Sequence, residues 1–124
     1  MRRSAGNSVI SVTSAHRDVR KLVESVRRRL EKHEVVTLSA LERAIVLALD
    51  TARVAVAQQL AELEGLQTSY VDVTDKATGA PALRCKVNLV LRRSAEMTGA
   101  LEQAQADEDQ KRILLQRQAL LDGN

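Results

Sequence analysis

The residues of this sequence that could do chemistry are cations, and one group of them lies near the N-terminus. Four follow a predicted strand and stand at or just after the start of a predicted helix: His16, Arg17, Arg20 and Lys21. A guanidinium group binds phosphate or carboxylate through two parallel hydrogen bonds, and the free N–H groups at a helix N-terminus also attract anions. The pattern predicts an anion-binding site with Arg17 as its principal residue, and a solvated loop is the alternative.

A second group of cations is predicted on a β-hairpin. It comprises Lys76, Arg84, Lys86 and Arg92. In the last predicted strand the cations occupy alternate positions, which places them on one side of the strand. Two extended arms with such a pattern can follow a nucleic-acid backbone. The alternative is that these charges only keep an exposed sheet face soluble.

Other charged or reactive residues predict no binding site. Arg27-Arg28-Arg29 is the densest basic run, but consecutive residues on a helix point about 100° apart, so they cannot form one patch. Ion pairs within the helix, such as Glu24 with Arg28, are expected instead. His33 is expected to interact with the helix dipole, and Cys85 to pack on the inward side of its strand.

The composition excludes several classes of function. No residues resemble a nucleophile with its base, a glycine-rich phosphate loop or a metal-ligand set, so no enzymatic activity, cofactor or metal is predicted. Cys85 is the only cysteine and Tyr70 the only aromatic residue. Because single-strand readers stack bases on aromatic side chains, any nucleic-acid binding should use phosphates and groove shape. No membrane span or export signal is recognised, which favours the cytoplasm, the nucleus or both.

Charge is distributed unevenly along the chain, whose formal net charge is +3. Residues 1–33 carry a strong basic excess, residues 34–94 are balanced, and residues 95–124 are acidic. Such asymmetry predicts a polyanionic partner. The sequence divides into a flexible basic arm at 1–7, one folded domain at 8–94 and an acidic tail, helical or partly disordered, at 95–124.

The elements that would hold these residues follow from hydrophobic patterning. An apolar stripe at helical spacing from Val19 to Leu30 predicts the first helix. A polar, glycine-containing turn at 75–81 joins the last two strands in a long hairpin. Four strands are predicted, at residues 8–13, 35–38, 69–73 and 83–92.

A second, long helix is predicted between the second and third strands. Ser39 and Glu42 match a capping box at its start, and Gly65 follows its expected end near Glu64. The helix is apolar nearly all round, so it needs cover on two sides, and the second cover is expected to be another subunit. The predicted order of elements is β-α-β-α-β-β, and the predicted fold class is α/β (α+β).

These segments resemble the Alba family of proteins, the plant and protist members especially. The run from Val36 to Ile45 resembles their second strand and helix start, and 49–52 their mid-helix segment. Residues 68–73 with Gly79-Ala80-Pro81 and 83–92 resemble their β-hairpin, and 10–17 their first strand and basic loop. The likeness covers residues 7–94.

The resemblance implies a fold like the C-terminal domain of a bacterial translation initiation factor, with two helices on one face of a four-stranded mixed sheet. It also implies dimerisation, backbone binding to DNA and RNA, and a binding role for Arg43. His16-Arg17-Asp18 replaces the family's Lys-Lys-Pro, and Thr78-Gly79-Ala80 replaces an Arg-Gly-Arg hairpin tip. We therefore expect reduced affinity for nucleic acid.

Two functions follow as hypotheses. The first is a homodimer that binds DNA or RNA largely without sequence specificity. The second is an assembly subunit of a ribonucleoprotein of the ribonuclease P type, which acts mainly by forming a heterodimer with another Alba-like chain.

Overall fold

The chain alternates strands and helices and ends in a third helix. A computed structural model describes residues 7–13, 15 and 18–123. The elements of this part are β1 (Asn7–Val12), α1 (Val19–Lys32), β2 (Val35–Leu41), α2 (Ala44–Ala57), β3 (Ala61–Thr74), β4 (Pro81–Arg93) and α3 (Ala95–Asp122). The predicted order is confirmed. The arm predicted at 1–7 lies outside the described residues except for Asn7.

The four strands form one mixed sheet in the order β1-β2-β4-β3. β1 is parallel to β2, whereas β4 is antiparallel to both β2 and β3. Alternate residues of β1, β2 and β4 are buried, and α1 and α2 cover that face, as expected for an α+β fold. Six large core side chains are almost completely buried: Val26, Leu30, Val36, Leu38, Leu89 and Leu91.

α1 is the amphipathic helix that the sequence predicts. Its buried stripe is formed by Leu22, Val23, Val26 and Leu30. At its start, Asp18 Oδ1 accepts a hydrogen bond from the backbone N–H of Arg20 at 3.0 Å and caps the helix. The helix ends at Lys32, and the cap residue that follows, His33, donates its backbone N–H to the carbonyl of Arg29.

The long helix predicted from Ser39 to Glu64 is wrong at both ends. Ser39 belongs to β2, and Gly65 follows a β-bulge in β3 instead of ending a helix. The helix stops after Ala57 because Gln59 adopts a left-handed φ of 62°. The residues that follow hydrogen-bond with β4, starting at the pair Ala61 and Arg93. Pairing with a buried neighbouring strand outweighs the helical spacing of the leucines in this segment.

The predicted capping box is also absent. Glu42 has a left-handed φ of 47°, and Arg43 takes the cap position of α2 without a side-chain hydrogen bond. Glu42 instead connects two elements, because its Oε1 accepts the N–H of Cys85 and its own N–H donates to the carbonyl of Cys85, both at 3.0 Å.

β3 and β4 form a long hairpin, which the sequence predicts, although β3 is longer than expected. The last residue of β2, Leu41, is opposite Lys86, so the hairpin beyond this point has no partner strand on its β2 side. We call this projecting part, residues 70–85, the hairpin arm. Its turn is closed by a 2.8 Å hydrogen bond from Asp75 N–H to the carbonyl of Ala80. Gly79 adopts a φ of 72°, which suits glycine.

The boundary between two compact units lies between Ser94 and Ala95. The second unit holds α3, a helix of 28 residues. Its side chains from 102 onward are exposed, including Leu120 and Leu121. Hydrogen bonds from glutamine to aspartate four residues later, such as Gln103 to Asp107 at 3.0 Å, support its surface.

Candidate functional site

A basic cleft lies where the hairpin arm leaves the sheet. Its volume is about 770 Å³, and three cations line it: Arg43, Arg84 and Lys86. The ends of β1 and β2 add hydroxyl groups, from Ser11, Thr13 and Ser39. Val71 and Val73 of β3 and the carboxylate of Glu42 also line the cleft. We call this site the basic cleft.

Strand geometry brings Arg84 and Lys86 to the same side of the hairpin. They are two residues apart on β4, and side chains alternate between the two faces of a strand. Arg43 joins them from the start of α2. Its position is fixed by the neighbouring Glu42, whose two hydrogen bonds to Cys85 tie this end of α2 to β4 between the two cations.

The cleft carries an excess of positive charge. Arg43, Arg84 and Lys86 form no ion pair within the part of the chain that the structure describes. One carboxylate, that of Glu42, faces the three cations, and a backbone N–H already occupies one of its oxygens. Unpaired guanidinium and ammonium groups converging on one concave surface can bind a phosphate group or several neighbouring ones.

The structure does not bring the remaining predicted site residues into this cleft. Arg20 is 93% exposed in its side chain and lies 3.7 Å from Asp18. Lys21 lines a different groove beside β1, and Lys76 is exposed in the hairpin turn. His16 and Arg17, including the residue predicted to be the principal one, lie outside the described residues. Their binding role stays a prediction.

The arginine-rich part of α1 is occupied by contacts within the fold. Arg27 binds both Glu24 and Glu31, and Arg28 lies 3.6 Å from Glu24. The hydrogen bond from Arg27 holds the pKa of the Glu24 carboxyl below its usual value. Arg29 donates to Ser8 Oγ at 2.6 Å and to the carbonyl of Val9. The expectation that this run forms no single binding patch is consistent with these contacts.

Arg92 differs from the other hairpin cations because it is neutralised. Its guanidinium binds the carboxylate of Glu64 and lies 3.8 Å from Glu34. The hydrogen bond from Arg92 lowers the pKa of Glu64, and the same bond raises the pKa of Arg92. Arg92 was predicted to project with Lys76, Arg84 and Lys86, and its two ion pairs distinguish it from Arg84 and Lys86.

Sequence reasoning missed the hydroxyl and carboxylate groups of the cleft. Ser39 and Glu42 were predicted to cap a helix, and Ser11 and Thr13 were assigned no role beyond the first strand. The signal that identifies the two serines is period-two alternation: each lies between buried residues of its strand, so its side chain points to the other face of the sheet. The signal for Glu42 is absent, because its left-handed backbone depends on contacts with β4.

Large apolar side chains of α2 and of the hairpin strands β3 and β4 are exposed. Seven residues contribute them: Val46, Leu49, Val56, Leu63, Leu66, Tyr70 and Leu83. Leu66 and Tyr70 are opposite Leu89 and Cys85, so they share the sheet face that α2 covers. Tyr70 is 74% exposed and Val46 66%. We call the surface formed by these seven residues the apolar face. Extended apolar surfaces of this kind mark protein interfaces.

The described residues include neither a cluster of metal ligands nor a helix that could span a membrane. No group of three or more His, Cys, Asp or Glu side chains there is placed to hold a metal ion. None of the helices in that part of the chain combines the length and apolar character needed to cross a membrane.

Comparisons with known proteins agree on one family. The family model for Alba matches residues 8–75, more than half of the chain. Alba from Thermoplasma volcanium is 14% identical, covers 68% of this chain and 100% of its own, and superposes with a TM-score of 0.59. ALBA1 from Trypanosoma brucei is 20% identical, covers 91% of this chain and 94% of its own, and has a TM-score of 0.57. No curated protein matches the sequence.

Proposed function

Since the chain belongs to the Alba family, whose members generally bind nucleic acids, we propose that it binds the backbone of DNA or RNA through the basic cleft. The observation that carries the proposal is the convergence of Arg43, Arg84 and Lys86, none of them ion-paired in the described structure, on one surface. Phosphate oxygens are the anions that such a cluster fits best along a polymer.

The mode of binding is largely independent of sequence. Tyr70, the only aromatic residue, belongs to the apolar face and not to the cleft lining, so bases have no stacking platform there. Contacts to phosphates position a protein on nucleic acid but do not read its bases.

The binding unit is a dimer in this proposal. The apolar face gathers seven large exposed apolar side chains on α2 and the hairpin, and a second copy of the chain would cover it. The face includes the base of the hairpin arm, so two protomers joined there would each present a basic cleft. Both clefts acting together would hold one nucleic acid more tightly than either alone.

Salt dependence tests this proposal directly. Three cations in each of two protomers would neutralise on the order of six phosphates, so log affinity for duplex DNA should fall against log salt with a slope of roughly −5. The double variant Arg84→Glu/Lys86→Glu should reduce the slope to roughly −2 and lower affinity about a hundredfold, by the same amount for every sequence tested.

The control for that experiment changes the net charge equally elsewhere. Lys111→Glu/Arg117→Glu alters two exposed residues of α3 that form no ion pair in the described structure, and it should leave the salt slope nearly unchanged. Equal losses in the two double variants, or a loss that depends on DNA sequence, would contradict binding at the cleft.

The apolar face also favours a second candidate function, that of an assembly subunit which pairs with a different Alba-like chain in a ribonucleoprotein. The hairpin turn at Thr78-Gly79-Ala80 carries no arginine, which also suits a pairing role. The mass of the purified protein distinguishes the candidates. A stable homodimer that binds nucleic acid alone supports the first, and a chain that aggregates or stays monomeric until a partner is added supports the second.

A further inference from the structure

The sheet face opposite α1 and α2 carries a line of hydrogen-bonding side chains that crosses all four strands. Ser11 is opposite Ser39, Ser39 is opposite Asn88, and Asn88 is opposite Gln67. Residues directly opposite each other on paired strands share a face of the sheet. With strands about 4.8 Å apart, the line is roughly 14 Å long. We call these four residues the polar row.

The polar row is free to bind a ligand. None of its four side chains forms a hydrogen bond within the described part of the chain. Ser11 and Gln67 are exposed, and Ser39 and Asn88 are half-buried. Hydroxyl and amide groups can both donate and accept hydrogen bonds, so the row can pair with neutral groups that do both.

The row is continuous with the basic cleft. Ser11 and Ser39 line the cleft as well as forming one end of the row. Lys86 is two residues from Asn88 on the same side of β4. A polymer that placed its phosphates in the cleft would therefore place its sugars over the row.

The shape of the row decides which nucleic acid it fits. The major groove of B-form DNA admits a helix or a two-stranded ribbon, and its minor groove is only about 6 Å wide, so a four-stranded face enters neither. The minor groove of an RNA duplex is wide and shallow and displays ribose 2′-hydroxyls, which donate and accept hydrogen bonds. Single strands are disfavoured because the row offers no aromatic side chain for stacking.

We propose that the polar row docks in the shallow minor groove of duplex RNA and hydrogen-bonds its 2′-hydroxyl groups while the basic cleft holds adjacent phosphates. This inference rests on the proposed function and makes it narrower, since it selects RNA duplexes over DNA duplexes of the same sequence.

The test measures the affinity of the full-length protein for three duplexes of one sequence: RNA, DNA, and RNA with 2′-O-methyl groups. The wild-type protein binds the RNA duplex about tenfold more tightly than the DNA duplex, as expected from two net hydrogen bonds. Methylation preserves A-form geometry but removes the hydroxyl donor, so it lowers affinity towards the DNA value.

Variants connect that preference to the row. Asn88→Ala/Gln67→Ala, which leaves the cleft lining intact, abolishes the preference for RNA and changes DNA affinity less than about twofold. Gln110→Ala/Gln116→Ala in α3 is the matched control and keeps the preference. Gln67→Ala alone, at an exposed position, gives a partial loss and serves if the double variant does not fold.

The outcomes separate the two proposals. If the wild-type protein binds RNA and DNA duplexes equally, or the double variant weakens both equally, the polar row is not an RNA site while the proposed function stands. Equal affinity for methylated and unmethylated RNA overturns the role of the 2′-hydroxyl. If the protein binds none of the duplexes, both proposals fail.

Discussion

At the scale of single residues, Glu42 determines the geometry of the basic cleft. Its left-handed backbone ends β2 and turns the chain into α2, and its two hydrogen bonds to Cys85 hold that turn against β4. Arg43 is thereby placed beside Arg84 and Lys86. The same carboxylate also opposes the cations electrostatically, so one side chain both builds the cleft and limits its positive charge.

Removing this charge while keeping the hydrogen bond should strengthen binding. In Glu42→Gln the amide oxygen can still accept the N–H of Cys85, but the cleft no longer contains a negative charge. We expect affinity for duplex DNA or RNA to rise about threefold at low salt, a gain typical of one partly exposed charge interaction. Fluorescence anisotropy titrations measure it.

Glu62→Gln is the matched control for that variant. Glu62 is exposed on β3 opposite Arg92 and does not line the cleft, so the same change in net charge should leave affinity almost unaltered. An equal gain in both variants would mean that overall charge, and not the cleft, governs binding.

Residue type and spacing pointed to Arg84, Lys86 and Arg92 alike, and the family resemblance added Arg43; the sequence could not tell which of the four are ion-paired in the fold. All four are cations near the predicted hairpin or helix start. What separates them is the position of carboxylates that are distant in sequence: Glu34 and Glu64 reach Arg92, and no acidic side chain in the described residues pairs with the other three. Such pairing depends on strand register, which alternation alone does not specify.

At the scale of elements, the first helix and the last strand were predictable, and the junction of α2 with β3 was not. The stripe of α1 and the alternation of β4 each match one period clearly. Residues 58–66 contain Leu60, Leu63 and Leu66, a spacing that fits a helix as well as a strand. The helix ends through Gln59 in a left-handed conformation instead of through a glycine, so the usual stop signal is missing.

The β-bulge in β3 has a consequence for pH dependence. The register shifts between Leu63 and Gly65, and the intervening Glu64 binds Arg92 across the strand pair. This bond lowers the pKa of Glu64 below its ordinary 4.5. A carboxylate with a lowered folded-state pKa stabilises the fold fully at pH values above the ordinary pKa, and the contribution disappears as the pH falls through the folded-state value.

Acid titration of stability should reveal that bond. In Arg92→Gln the carboxyl of Glu64 loses its principal partner, so its pKa returns towards 4.5. We expect the difference in Tm between wild type and variant to be constant near neutrality and to shrink as the pH falls below 4.5. Scanning calorimetry across this range measures it. A difference in Tm that is independent of pH would show that Arg92 stabilises the fold by packing alone.

At the scale of the whole molecule, the ordered set of segments that resemble the Alba family predicted the fold correctly. No single segment is specific, yet their sequence order predicted the family and the mixed four-stranded sheet, and both are confirmed. The polar row was not foreseen, because it exists only once four separate strands are aligned in register. Alternation within each strand predicts which face these residues take, but not which residues of distant strands lie opposite each other.

The main prediction about the molecule as a whole is that it forms a dimer, because its apolar face is exposed in the single chain. Leu66, half-exposed on β3, lies within this face, and replacing it by glutamate would bury a charge in the proposed interface. We expect Leu66→Glu to convert the protein to a monomer with little loss of Tm measured at low concentration. Because a monomer presents one basic cleft instead of two, the salt slope for duplex DNA should fall by about half.

For this explanation to hold, Leu66→Glu must lower both the mass measured by sedimentation equilibrium and the slope measured by the salt titration. Leu120→Glu introduces the same charge at an exposed leucine of α3, outside the apolar face, and should alter neither the mass nor the slope. A Leu66→Glu protein that remains dimeric places the interface elsewhere. A monomer that retains the full slope shows that one cleft already contacts all the phosphates, in which case pairing of protomers serves assembly and not binding.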